Sequence, residues 1–340
     1  MSTLKTVKLV DIVELEPQAL DNLKFAATQQ GFFHLDIDTG SDLSSVNADI
    51  AECFDLAIRL YDLPLHEKLS YDIDKMGAHK LNGYKPSGRN AGIKLGTQDG
   101  FEAYLIPRDG VATQYEGEPD ALLPPTLCRE KELLKRTMNE LHSIGMAVLR
   151  ALSIALANSD QYELTIQHRP QHPSTSALGL LKYSPVDQNQ TQLGHSAHTD
   201  VGSLTLLFCT GPGLQFLDPL TGQWENVEVR PGQAVVNIGD SLRFLTGNRL
   251  KSCLHRVLPV TGDSAEDRYS LAYFLRPEID TTFRDEVGQT WKSIDWHDNK
   301  YKIFRASLEQ QSGEQESLVL TGKAGFLGLW EPLNDPLVAS

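Results

Sequence analysis

The 340-residue chain is poor in the residues that would hold it together covalently: its four cysteines, Cys53, Cys128, Cys209 and Cys253, lie far apart and form no Cys-x-x-Cys pair. That excludes a disulfide scaffold and a thiolate zinc site, and reduced thiols are expected. Basic residues are scarce as well, 31 Lys and Arg against 45 Asp and Glu, for a formal charge of −14. Such a balance repels phosphate backbones and anionic lipid, so neither nucleic acid nor a membrane is expected as a partner. No uninterrupted apolar run reaches the 18 or so residues of a membrane span, and Met1 to Asp11 lacks the apolar stretch of a secretory leader. A cytoplasmic location is the matching expectation. Internal repeats, a Gly-x-Gly-x-x-Gly fingerprint and a P-loop are also missing, which removes the commonest nucleotide-cofactor folds.

What is present is an ordinary globular composition, 40% hydrophobic and 22% charged. Its hydrophobic period changes along the chain. Residues 17–30 and 42–61 carry apolar side chains at helical spacing, and Pro64 stops the second run. The strongest helical stripe runs from about Glu130 to Ala157, through Leu134, Met138, Leu141, Val148, Leu152 and Leu156, and predicts a scaffold helix backing a sheet. Between these lies a glycine-rich stretch, Asn82 to Gly92, followed by Gly96 to Tyr104; long loops of this kind are often functional. From Ser176 the pattern turns to short β-type runs, at 176–183, 203–208, 214–217, 224–229, 234–238, 253–258 and 268–275. Asp218-Pro-Leu-Thr-Gly222 and Arg230-Pro-Gly232 are turns by composition. Many short strands so spaced predict a sandwich or a jelly-roll barrel.

Two His-x-Asp tripeptides occur, His34-Leu-Asp36 and His198-Thr-Asp200. On a strand, residues two apart share a face, so the motif offers two ligands of a facial metal site. With ten histidines in the chain, chance alone supplies on the order of one such tripeptide, and context must separate them. His198-Thr-Asp200 sits just before the β run 201–208, and His255 lies on a later strand of the same half. Two imidazoles and one carboxylate leave three octahedral positions open, a donor set suited to ferrous iron. Taken singly, His255 reads better as a satisfied core histidine; the order of the elements is what changes that.

In that order the residues resemble the iron(II) and 2-oxoglutarate-dependent dioxygenase superfamily, in its isopenicillin N synthase-like branch. The matching strings are His198-Thr-Asp-Val-Gly-Ser-Leu-Thr-Leu-Leu207, Gly213-Leu-Gln215, Val236-Asn-Ile-Gly-Asp240, Lys251-Ser-Cys-Leu-His-Arg-Val257 and Arg268-Tyr-Ser-Leu-Ala-Tyr-Phe274. Earlier segments, Ala26 to Phe33, Leu63 to Lys68 and Gly83 to Pro86, are similar more loosely. The resemblance implies an α+β fold, a double-stranded β-helix backed by helices, with a mostly helical N-terminal region. It divides the chain into 1–125, covering the barrel, and 126–340, the core with a C-terminal lid. It implies His198, Asp200 and His255 as iron ligands and makes His34-Leu-Asp36 a decoy on a strand far from iron.

A co-substrate diacid that chelates iron leaves a second carboxylate to be held, and an arginine fork suits that task. Arg268 and Ser270 share a strand face and resemble the family's Arg-x-Ser clamp for 2-oxoglutarate, with Tyr183 matching a tyrosine that joins it. The competing assignment pairs Arg268 with Asp267 or Glu266 on the surface. Departures are Leu181 where many plant members have Asn, Ser184 within Tyr183-Ser-Pro185, and Asp36 to Gly40 in place of Asn-His-Gly. His195 reads as an orienting partner, a substrate contact or, most simply, a solvated loop histidine.

The implied chemistry uses Fe(II), O2 and 2-oxoglutarate, with ascorbate as a reductant, to hydroxylate, desaturate or cyclise a small natural product while 2-oxoglutarate becomes succinate. Candidate substrate contacts are Tyr84, Arg89, Asn90, Tyr104, Phe216, Phe274 and, in a lid, Phe326, Leu327 and Trp330. No obligate protein partner is implied. Three rivals stay open: a co-substrate-free iron oxidase of the isopenicillin N synthase type, a non-catalytic small-molecule-binding barrel, and a zinc hydrolase on the same three residues.

Overall fold

The computed structural model describes residues 4–37, 44–93, 96–113, 120–157, 163–186, 194–259, 266–313 and 315–326. Its strands are β1 (Thr6–Lys8), β2 (Phe32–Asp36), β3 (Gly83–Lys85), β4 (Phe101–Pro107), β5 (Ala177–Tyr183), β6 (His195–His198), β7 (Leu204–Cys209), β8 (Leu214–Asp218), β9 (Gln223–Asn226), β10 (Gln233–Ile238), β11 (His255–Val257), β12 (Arg268–Leu275), β13 (Thr282–Arg284) and β14 (Thr290–Lys292). One sheet has the order β1-β2-β10-β7-β12-β5-β4-β3, a second β6-β11-β8-β9, and β13-β14 form a separate hairpin. Apart from the parallel β1–β2 pair, the pairings between these strands are antiparallel. From β5 to β12 the chain passes back and forth between the two larger sheets, with only the β8–β9 hairpin staying within the second, the double-stranded β-helix or jelly-roll arrangement.

The turns are where their composition places them. Asp218 pairs with Gln223 across the β8–β9 turn, which Gly222 closes at φ 68°, and Gly232 at φ 71° leads into β10. The helix Lys131–Leu156 buries Leu134, Met138, Leu141, Val148, Leu152 and Leu156 against β7 and β12. Each such side chain contributes about 1.5–3 kcal/mol. Beside it, the helices Pro17–Phe25 and Ser44–Tyr61 complete the layer behind the large sheet. The first of these runs on into a wide turn, Ala26–Gln30, stopped by Gly31 at φ 70°. A Cβ at Gly31 would lie 2.3 Å from the Lys251 carbonyl oxygen, so glycine is required there twice over.

Residues 1–125 do more than cover the barrel: they supply both edges of the large sheet, β1-β2 on one side and β4-β3 on the other, so one sheet spans the expected division. β3 and β4 lie in the glycine-rich stretch, where the sequence predicted loop. They are buried on both faces and carry no alternating signal. A third cluster, Phe244, Phe283, Trp291 and Trp296, fastens the helix Ser293–Phe304 at the barrel mouth. Among the described residues no helix is long and apolar enough to cross a membrane.

Candidate active site

The β6–β11 register sets His198 directly opposite His255. β6 ends at His198, so Asp200 projects from the turn beyond the strand rather than from the strand itself. Even so, the three side chains converge: Asp200 Oδ1 lies 3.8 Å from His198 Nε2 and 3.7 Å from His255 Nε2, and the three donor atoms fall within 4.8 Å of one another. Each imidazole turns Nδ1 to a backbone carbonyl, His198 to Ser196 at 2.8 Å and His255 to Cys253 at 3.2 Å. A carbonyl only accepts, so the proton sits on Nδ1 and the Nε2 lone pair faces the centre. Asp200 is oriented the same way: its Oδ2 accepts from Thr205 at 2.5 Å and Asn237 at 2.7 Å, leaving Oδ1 for the cluster. Thr205 and Asn237 are themselves cross-strand neighbours on β7 and β10.

Burial, and after it the neighbouring His255, push the His198 pKa down. At Asp200 burial acts upward, but His255, His198 and the Asn237 and Thr205 hydrogen bonds outweigh it and hold the carboxyl below its usual range. Neutral imidazole beside ionised carboxylate is the ligating form of both groups.

From the triad a cavity of about 80 Å³ runs into the barrel and ends at Arg268, Ser270 and Tyr183. Arg268 pairs across the ladder with Tyr183, and its guanidinium carbon lies 4.9 Å from the centre of that ring. It donates to Ser270 Oγ at 2.9 Å, the Gly211 carbonyl at 2.9 Å and Cys209 Sγ at 3.1 Å. Arg268 is 3% exposed and makes no ion pair among the described residues; Asp267 turns instead to Lys182 at 2.8 Å. A buried cation without an acid is costly unless an anion completes it. The donor set therefore fits ferrous iron, and the cavity's far end fits the free carboxylate of a dicarboxylate.

A second cavity of about 110 Å³ adjoins the first and shares Leu181, His195, His198, Asp200 and Phe274 with it. Phe101, Tyr301 and Phe304 add aromatic wall. Of the candidate substrate contacts, Asn90 and Phe274 line this cavity. Tyr84 and Tyr104 do not: they face each other across β3–β4 on the helix side, in the main core, because the pleat gives the cavity side to Ala103 and Leu105. The Tyr84 hydroxyl is tied to Glu102. Arg89 is held off the cavity by Asp72 at 3.0 Å and by Asp74. Phe216 stacks on Phe32 at 5.2 Å inside the barrel, and it is Phe32 whose ring meets His255, at 5.5 Å. The Phe326 side chain, Leu327 and Trp330 lie outside the described residues.

His195 is on β6 rather than in a solvated loop, its ring 4.2 Å from that of His198 and 4.5 Å from that of Phe101. Burial, then His198 and Lys85, push its pKa well down. His34 and Asp36 belong to β2 and stand outside the three-residue cluster. Sequence reasoning missed Thr205 and Asn237 as orienting residues, although both stand inside matched strings, and missed Phe101, Tyr301 and Phe304, which carry no motif.

A sequence model of the 2OG-Fe(II) oxygenase superfamily matches residues 166–277. The chain is 35% identical over 319 residues to the 2-oxoglutarate-dependent dioxygenase frbH of Dothideomycetidae sp. (strain 11243), covering 94% of this chain and 95% of that one. It is 45% identical over 204 residues to the 2-oxoglutarate-dependent dioxygenase iboH of Amanita muscaria, covering 59% of this chain and 97% of that one. A solved 2OG-Fe(II) oxygenase family protein from Caulobacter crescentus superposes with a TM-score of 0.73 at 25% identity, over 89% of this chain and 99% of that one. The chain belongs to the 2OG-Fe(II) oxygenase superfamily. It is an oxidoreductase of the 2-oxoglutarate-dependent, non-haem iron type, which works with Fe(II), 2-oxoglutarate and O2 on a small molecule.

Proposed function

We propose that His198, Asp200 and His255 hold the iron, that Arg268, Ser270 and Tyr183 hold the distal carboxylate of 2-oxoglutarate, and that the outer cavity takes a small natural product. The observation that carries this reading is the pairing of an oriented, three-donor cluster with an unopposed buried arginine at the two ends of one cavity. Ferrous iron, when bound, supplies the activation of O2 that couples 2-oxoglutarate decarboxylation to hydroxylation, desaturation or cyclisation of the substrate. The chain's own residues do the rest. Asn237 and Thr205 hold Asp200 in register, the Ser196 and Cys253 carbonyls fix the imidazole tautomers, and the Arg268 fork aligns the co-substrate with the metal. Phe101, Phe274 and Phe304 exclude water beside the triad. Ascorbate serves as the external reductant, and four free cysteines suit a reducing, cytoplasmic setting.

The test needs no substrate. Fe(II) is added anaerobically to metal-free protein, then 2-oxoglutarate, and the visible charge-transfer band of the iron–keto-acid chelate is sought. The band is expected in the wild type and absent from His198→Ala. Iron binding without the band would overturn the Arg268 assignment, and no iron binding would overturn the triad.

A further inference from the structure

Arg276 follows β12 directly, at the opposite end from Arg268, and lines the outer cavity. It is 3% exposed. One guanidinium nitrogen donates to the Thr175 carbonyl, its Nε is buried without a partner, and the group lies over the Phe274 ring at 5.1 Å. The other two cations of that cavity are neutralised: Lys85 by Asp99 at 2.6 Å and Arg305 by Asp74 at 3.1 Å. Arg276 makes no ion pair among the described residues, and the single acid in the described wall is Asp200 of the triad. In a chain with a formal charge of −14, a buried and unopposed guanidinium is a costly feature unless an anion completes it. Its path is also built: a Cβ at Gly202 would lie 2.5 Å from Arg276 Cγ.

We propose that Arg276 anchors a carboxylate of the prime substrate, so that the enzyme acts on small carboxylic acids with an apolar or aromatic body. This rests on the outer cavity being the substrate pocket. The guanidinium fork matches a carboxylate in charge and shape, and one uncompensated cation balances one negative charge rather than the two of a phosphate ester. The body of the acid then packs among Phe101, Phe274, Tyr301 and Phe304, next to His198 and Asp200.

The experiment is calorimetric titration of the Mn(II)-loaded protein, saturated with 2-oxoglutarate, with phenylacetate, 3-phenylpropanoate and hexanoate, each compared with its primary amide. At least one acid is expected to bind about tenfold or more tighter than its amide, since a hydrogen-bonded charge contributes about 1.5–3 kcal/mol. Arg276→Gln should abolish that preference, and Arg276→Lys, which keeps the charge but loses the fork, should keep part of it. Equal binding of acid and amide, no binding by any acid, or an undiminished preference in Arg276→Gln would overturn the proposal. The wild-type comparison stands even if a variant fails to fold, which its thermal transition reports. Loss of the iron–2-oxoglutarate band in the wild type would instead count against the Arg268 assignment, and the acid–amide comparison on Mn(II) protein alone would still judge Arg276.

Discussion

Lys300 and Asp240 form an ion pair from which water is wholly excluded, both side chains being 0% exposed. The pair closes on the hydroxyl of Thr199, which accepts from Lys300 Nζ at 2.7 Å and donates to Asp240 Oδ2 at 2.9 Å. Thr199 is the residue between His198 and Asp200. The ion pair thereby fastens the helix Ser293–Phe304, which bears cavity residues Tyr301 and Phe304, to the turn that presents the carboxylate of the triad. Arg243 stands 3.7 Å from the second Asp240 oxygen and tempers the charge.

Breaking this pair from one side should be expensive, because it strands a buried charge. Lys300→Met is expected to lower stability by about 3 kcal/mol in denaturant unfolding, and Lys300→Met/Asp240→Leu to cost clearly less than the two single changes together. Additive costs would show that the two groups are not coupled.

Asn237→Leu removes one of the two donors that aim Asp200 while keeping a side chain of the same branching in a buried site. Metal affinity should fall about 10- to 100-fold, as for other residues that orient a ligand, with little change in overall fold. Mn(II) titration followed by electron paramagnetic resonance measures this, and unchanged affinity would remove Asn237 from its orienting role.

For Arg268→Ala the expectation is selective. The apparent affinity for 2-oxoglutarate should drop about 10- to 150-fold, the loss of a charge-assisted interaction of about 1.5–3 kcal/mol. Fe(II) affinity should stay within a factor of two or three. Equal losses for both would point to collapse of the cavity rather than to a missing clamp.

Acid should unfold the protein in part through His34. It is fully buried on β2, neither ring nitrogen has a partner, and burial, then Arg230, push its pKa down to about 4. A histidine depressed on folding stabilises above its unfolded pKa of about 6.5, and that contribution drains away as pH falls through 4. The loss is about 3 kcal/mol at pH 4. His34→Leu should therefore flatten the fall of the thermal transition between pH 6.5 and 4; an unchanged slope would place the acid sensitivity in His142 and His168, whose pKa values are also lowered by burial.

The legible parts of the sequence were those whose signal is local. The stripe from Leu134 to Leu156 marks a helix, and the runs around Ala177, Leu204, Leu214, Gln233 and Arg268 mark strands, because a period of 3.6 or 2 survives wherever one face is buried and the other is not. β3 and β4 escaped because burial on both faces erases the alternation, and β6 because four residues are too few to show one. Tyr84 and Tyr104 illustrate the limit. An aromatic in a glycine-rich stretch looks like a pocket wall until the pleat turns it to the helices.

Residue types and their order along the chain were enough to point to the family and its chemistry: two histidines, an aspartate and a downstream Arg-x-Ser pair carry the proposed ligands and co-substrate clamp, since donor identity belongs to the side chain. Which groups face the substrate was decided only in three dimensions. The His198–His255 register, the stacking of His195 on His198, and the isolation of Arg276 while Lys85 and Arg305 find acids all depend on partners far away in sequence. Burial decides whether a charge is opposed, and burial is a property of the packed sheets and the helix across their mouth, not of any local stretch of chain.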